Sequence, residues 1–200
     1  MRTASKSRES IPLIKEVIEG GGLVCAPTDT LYGLLGSALK REAVEKVYRV
    51  KGRERSKPLI VLFSSVKEME DYGVKVPKEL HSLYPAPLTV ILPLKENSPF
   101  REVFGREDLA VRVPDEPFLL EVLRETGPLF APSANPSGLK PAESCKECRE
   151  YFKEGVELCV EGKAGGKPST LIRLTEDGFE VLREGAFPVE VLREVFGGKG

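Results

Sequence analysis

The densest run of charge capable of chemistry is Lys51-Gly52-Arg53-Glu54-Arg55-Ser56-Lys57-Pro58, where a cation stands at every second position. In an extended chain, alternate side chains leave on the same side. Lys51, Arg53, Arg55 and Lys57 would then converge on one anionic target, and a polyphosphate suits such ammonium and guanidinium groups. A solvated basic loop is the plainer reading of the same run. Another cation, Arg112, sits inside the apolar strand pattern Leu109-Ala110-Val111-Arg112-Val113. There Val111 and Val113 share one face and Arg112 the other. A charge so placed must be paired or aimed at a ligand. It either grips a carboxylate or pairs with an acid such as Asp108 or Asp115.

Hydroxyls and small residues surround these cations in sequence. The apolar run Leu23-Val24-Cys25-Ala26 reads as a strand stopped by Pro27, and Thr28, Asp29 and Thr30 follow at its exit. Ala131-Pro132-Ser133-Ala134-Asn135-Pro136-Ser137-Gly138 follows a second short strand. Its small residues let backbone approach a ligand, and Ser133 and Asn135 can bind phosphate oxygens or a ribose. Gly162 to Thr170 imitates a P-loop but fails as one. Its glycine spacing is one residue short, Pro168 separates Lys167 from Ser169, and a strand follows where a helix is required. It reads as a flexible loop delivering the Ser169 and Thr170 hydroxyls. Arg183 adds a cation at a strand end. With one histidine, His81, and no G-x-S-x-G, Ser-His or Cys-His catalysis has no basis. The chemistry available is positioning and anion stabilisation.

Helix and strand patterns alternate around these segments. Helices are expected from Ser10 to the Gly20-Gly21-Gly22 stop, over 41–50, from Ser65 to Tyr72, over 77–84, 117–126 and 143–152, and after Pro188. Strands are expected at 23–26, 58–63, 88–92, 109–113, 129–131, 156–160, 170–174 and 179–183. The implied class is mixed α/β with a largely buried central sheet, in one domain over 1–200 with its core at about 11–185.

Composition narrows the functional classes. Thirty basic and thirty-one acidic residues give a net charge of −1, so global steering toward a polyanion is weak. No apolar run reaches a bilayer-spanning length, and the first ten residues read as a frayed start without a signal-peptide core, so a cytoplasmic location is expected. Cys145-Lys146-Glu147-Cys148 is a lone C-x-x-C that lacks two further zinc ligands at suitable spacing, and it reads as a helix carrying two semi-buried thiols. No protein-held metal is expected.

Taken together, these segments resemble the YrdC-like family, the threonylcarbamoyl-AMP synthases, from about Ile11 to Gly185. Pro27 to Gly33 meets its P-T-[DE]-T-x-Y-G block, Lys51 and Arg53 its K-x-R, Pro87-Leu88-Thr89 its P-L-[IT], and Val111 to Pro114 its V-R-x-P. Ser133 and Asn135 meet its S-x-N; Ser169-Thr170 and Leu182 to Gly185 match the late elements. Leu62, where many relatives place a histidine, Asp108, where a threonine is usual, and Ala86 within the W-P-G-P block depart from it.

The resemblance implies a twisted, mostly buried sheet flanked by helices around a large open cavity. It also implies conversion of L-threonine, bicarbonate and ATP, with Mg²⁺ on the triphosphate, to L-threonylcarbamoyladenylate and pyrophosphate. That product serves tRNA threonylcarbamoyladenosine modification through separate transfer proteins. By the same resemblance Thr30, Arg112, Ala131 and Ser169 line a threonine site. Lys51, Arg53, Lys57, Ser133, Asn135 and Arg183 line an ATP site, with Lys51 and Arg53 catalytic. Competing readings are a non-catalytic RNA (tRNA)-binding module and a carbamoyl-adenylate-forming relative. Near-neutral charge and 7% aromatic residues disfavour the former.

Overall fold

A computed structural model describes residues 1–197. Ten strands join one sheet in the order β1-β8-β2-β3-β7-β4-β6-β5-β9-β10. They are β1 (Arg2–Ala4), β2 (Val24–Ala26), β3 (Gly33–Ser37), β4 (Ile60–Leu62), β5 (Leu88–Pro93), β6 (Asp108–Arg112), β7 (Leu129–Phe130), β8 (Leu158–Val160), β9 (Thr170–Thr175) and β10 (Gly178–Arg183). The helices are α1 (Ile11–Glu19), α2 (Arg41–Lys51), α3 (Val66–Asp71), α4 (Pro99–Phe104), α5 (Pro117–Thr126), α6 (Cys145–Tyr151) and α7 (Val189–Phe196). The expected mixed α/β architecture is present.

Both faces of the sheet are covered, which explains its continuous apolar strands. Ile14 and Ile18 of α1 join Leu119 and Val122 of α5 over Val24, Leu35 and Leu62. On the other face, Val44 and Val47 of α2 pack with Leu34, Val61 and Val111. Alternation along each strand decides which side chain goes where. Val24 and Ala26 of β2 join the first cluster, whereas Cys25 joins the second.

Several expectations change. The N-terminus is not frayed: Arg2–Ala4 pairs parallel with β8. Gly33–Ser37, absent from the expected strands, is a fully buried strand between β2 and β7. Helix α4 was not expected, and residues 77–84 hold only a 3-10 turn, Lys78–Ser82. The cysteine pair of α6 is fully buried, not semi-buried, and its sulfurs are in disulfides with Cys25 and Cys159.

The alternating cations do not form an extended row. Lys51 is the last residue of α2, and Gly52 caps the helix in the left-handed region at φ 62°, where only glycine sits without cost. A turn follows, so the four side chains scatter.

Candidate active site

Six segments close around a solvent-open hollow of about 590 Å³. Its wall carries the guanidinium groups of Arg53, Arg112 and Arg183, the hydroxyls of Thr28, Thr30, Ser133 and Ser169, and no carboxylate side chain. Such a lining favours an anion.

Strand β6 delivers Arg112 from the face opposite Val111, as its alternation requires. The side chain is 3% exposed and forms an ion pair with Asp29. Arg112 is therefore paired as the plainer reading proposed, but its partner is Asp29 and not Asp108 or Asp115. Asp108 instead meets Arg106 at 2.9 Å. A second nitrogen, NH2, donates to Thr30 Oγ1 at 3.2 Å. Two arms of the guanidinium are thus occupied, and its buried Nε has no partner. The network continues inward: Thr30 Oγ1 lies 3.1 Å from Thr28 Oγ1, which donates to the Leu31 carbonyl at 2.6 Å. Asp29 is also fixed from behind, accepting the Asp115 N–H at 2.9 Å.

Arg53 reaches the hollow from the loop after α2. Its NH2 donates to the Pro58 carbonyl at 2.9 Å, and its buried Nε is unpartnered. A buried guanidinium N–H without an acceptor is expensive. Three guanidinium groups on one wall, with no carboxylate side chain beside them in the lining, mark where an anion belongs.

Lys51 behaves differently. It is 2% exposed and points behind the wall, donating to the Ser133 carbonyl and to the Asn135 carbonyl at 2.7 Å. The Lys51 carbonyl in turn accepts the Ser137 N–H at 2.8 Å. The K-x-R and S-x-N segments are thereby bolted together. Burial, then the charge of Arg53, lowers the Lys51 pKa to about 7. Asn135 likewise stands behind the wall, where its Oδ1 accepts from Ser133 Oγ. The S-x-N loop lies along β3, with the Ala134 N–H on the Tyr32 carbonyl at 2.7 Å.

The opposite rim comes from the Gly162–Ser169 loop and β9. Arg183 donates through Nε to the Ser169 carbonyl and through NH2 to Ser169 Oγ, both at 3.0 Å. Burial, then the charge of Arg112, holds the Arg183 pKa below the ordinary guanidinium value. The loop approaches the Asp29 segment so closely that a Cβ on Gly165 would sit 2.0 Å from the Asp29 carbonyl oxygen. Gly166 closes the contact by donating its N–H to the Thr30 carbonyl at 2.7 Å.

Of the residues expected at the site, Thr30, Arg53, Arg112, Ala131, Ser133, Ser169 and Arg183 line the hollow. Lys51 and Asn135 support it from behind. Lys57 does neither: its side chain is exposed, and its backbone carbonyl accepts from Tyr48. Arg55 stacks 5.3 Å from the Tyr48 ring centre. The Thr170 hydroxyl is not delivered to the hollow; it donates to the Phe187 carbonyl at 2.7 Å. Sequence reasoning missed Thr89, a fully buried residue whose hydroxyl lies 2.7 Å from Ser169 Oγ. A hydroxyl inside the apolar run Leu88-Thr89-Val90 was the available signal.

Known proteins resemble this chain in sequence and in fold. A family model for Sua5, YciO and YrdC, described as "Telomere recombination", matches residues 16–185. The threonylcarbamoyl-AMP synthase of Pyrococcus abyssi is 35% identical over 187 residues, covering 90% of this chain and 55% of that protein. The putative threonylcarbamoyl-AMP synthase of Methanocaldococcus jannaschii is 35% identical over 185 residues, covering 90% and 87%. A crystal structure of P. abyssi Sua5 complexed with L-threonine superposes with a TM-score of 0.87 at 33% identity, covering 98% of this chain and 60% of that one. The chain thus spans little more than half of the P. abyssi relative. Identity, coverage and a shared fold together place this chain in the Sua5/YciO/YrdC family.

Proposed function

We propose that this protein is a threonylcarbamoyl-AMP synthase. It would join L-threonine, bicarbonate and ATP into L-threonylcarbamoyladenylate and release pyrophosphate. The observation that carries this reading is the convergence of Arg53, Arg112 and Arg183 on one hollow whose lining holds no carboxylate side chain. Arg112, already oriented by Asp29 and Thr30, offers its guanidinium to the threonine carboxylate. Arg53 and Ser133 offer donors to the polyphosphate. The relative with L-threonine bound supports the amino-acid half of this assignment.

In the reaction the threonine amine takes up bicarbonate to give an N-carboxylate and water. A carboxylate oxygen then attacks the α-phosphorus, a new P–O bond forms, and the bond to the β-phosphate breaks with pyrophosphate leaving. Attack by one anion on a highly charged nucleotide is opposed chiefly by repulsion. Arg53 and Arg183, with Lys51 behind them, lower that repulsion and stabilise the departing charge. No side chain needs to pass a proton at the phosphorus. Mg²⁺ would arrive on the triphosphate as part of the substrate, since the wall offers no carboxylate to hold it.

The product would pass to separate tRNA-modifying transfer proteins in the cytoplasm. No described helix is long and apolar enough to cross a membrane. Incubation with ATP, bicarbonate and labelled threonine tests the reading. Pyrophosphate release that requires threonine is expected, and threonine-independent release or none would refute it.

A further inference from the structure

The four cysteines of this chain, 25, 145, 148 and 159, meet at one place on the sheet face away from Arg112. Cys25 of β2 and Cys159 of β8 are register partners on neighbouring parallel strands, so their side chains leave the same face side by side. Cys145 and Cys148, three apart on α6, share one helical face directly over them. All four are completely buried. The structure links them crosswise, Cys25 to Cys148 and Cys145 to Cys159, so that each disulfide joins helix to sheet.

We propose that in the reduced protein these four sulfurs close on a single zinc ion. A C-x-x-C on its own is half of a tetrathiolate site, and here the fold supplies the other half from two adjacent strands. The sulfurs of Cys25, Cys148 and Cys159 already lie within 4.8 Å of one another, and the fourth is joined to that of Cys159. Tetrahedral zinc holds thiolates about 2.3 Å from the metal, hence about 3.8 Å from each other. Three sulfurs are already close to that geometry, and rotation of the Cys145 side chain, which lies outside the triplet, brings in the fourth once its bond to Cys159 is reduced. The Cα atoms of Cys25 and Cys148 are 6.9 Å apart and those of Cys145 and Cys159 5.8 Å, spacings over which two sulfurs can share one ion. Thiolate donors with no carboxylate or imidazole among them select a soft cation over Mg²⁺ or Ca²⁺.

The chemistry balances simply. Two disulfides give four thiols by taking two electrons each, either from two phosphines, each leaving as its oxide with a water oxygen while that water supplies the two protons, or from two dithiols, which supply electrons and protons and become disulfides. Zinc then displaces four protons as the thiols ionise on coordination. The ion would tie α6 to β2 and β8 as a closed structural clip, with no open position and no part in the reaction at the hollow.

The test uses full-length protein produced in zinc-supplemented medium, purified under a phosphine reductant and desalted. Elemental analysis should give about one zinc per chain, and denaturation in alkylating reagent should modify all four cysteines. The Cys145→Ser/Cys148→Ser double variant should lose the metal. Because that variant could fail to fold, cobalt is also added to reduced, metal-stripped wild-type protein. Intense thiolate-to-cobalt charge-transfer bands with the visible bands of a tetrahedral ion are expected. Zinc below about 0.1 per chain, whether the cysteines are then free or in disulfides, would overturn the proposal. So would full zinc in a folded double variant, or an octahedral cobalt spectrum.

Discussion

Asp29 and Arg112, 83 residues apart, form a buried ion pair in which each is fixed from a second direction. The Asp115 N–H holds the carboxylate, and Thr30 Oγ1 accepts from the guanidinium. The result is one arginine N–H with a defined heading and no acceptor. Removing one partner of a buried pair leaves an uncompensated charge and costs roughly 3–5 kcal/mol.

Asp29→Asn should therefore lower thermal stability and raise the threonine KM about tenfold or more, with a smaller change in the ATP KM. Threonine should widen the stability gap from wild type, because a ligand that binds the variant more weakly stabilises it less. Differential scanning calorimetry with and without threonine checks this. Equal destabilisation in both conditions would return Arg112 to a purely structural role.

Arg53→Ala removes a charge-assisted donor worth roughly 1.5–3 kcal/mol, or about 10- to 150-fold in ATP-dependent kcat/KM. Lys57→Ala, at an exposed side chain outside the hollow, should leave the rate within about twofold. Steady-state pyrophosphate release separates the two. Comparable effects at both positions would restore a converging row of cations.

Lys51 gives a pH dependence whose sign is fixed by its pKa of about 7 in the fold, well below the ordinary lysine value. Above pH 7 the unfolded chain binds a proton that the folded chain has released, so stability relative to Lys51→Met should rise from about pH 7 toward pH 10. Below pH 7 both states are charged and the difference is flat. Binding should run the other way. The cation near the phosphates is lost above pH 7, and the ATP KM should climb in wild type but not in Lys51→Met. Paired melting and kinetic pH profiles measure both slopes.

At Gly165 the prediction is steric. A Cβ placed 2.0 Å from the Asp29 carbonyl oxygen must push the loop off the hollow's rim. Gly165→Ala should cut activity at least tenfold while shifting the melting temperature little, since the loop carries few buried apolar contacts. Gly52→Ala, with open space at its Cβ, should cost only its left-handed backbone preference, about 1 kcal/mol.

Much of this was legible in the sequence where local physics decides. Ile14 and Ile18, or Val44 and Val47, announce helices by their spacing, and Leu88 to Leu92 announces a buried strand. Strand β3 was not legible: Gly33 and Gly36 have no strand preference, and pairing with β2 and β7 imposes the conformation. Gly36 is there because a Cβ would strike the Phe130 ring at 2.1 Å, a contact formed only in the fold. The site divides the same way. The arginines and hydroxyls could be named from their neighbours, but the Asp29–Arg112 pair, the turning of Lys51 toward two carbonyls and the meeting of four cysteines all depend on long-range topology. The row of cations misled because the αL cap at Gly52 ends α2 inside it.

The most direct measurement is a crystal structure of the protein with L-threonine and a non-hydrolysable ATP analogue. The threonine carboxylate should lie within hydrogen-bond reach of the Arg112 guanidinium, with the α-phosphate beside the amino-acid nitrogen and Arg53 on the polyphosphate. Threonine bound elsewhere, or the nucleotide on an outer face away from Arg53 and Arg183, would contradict the assignment.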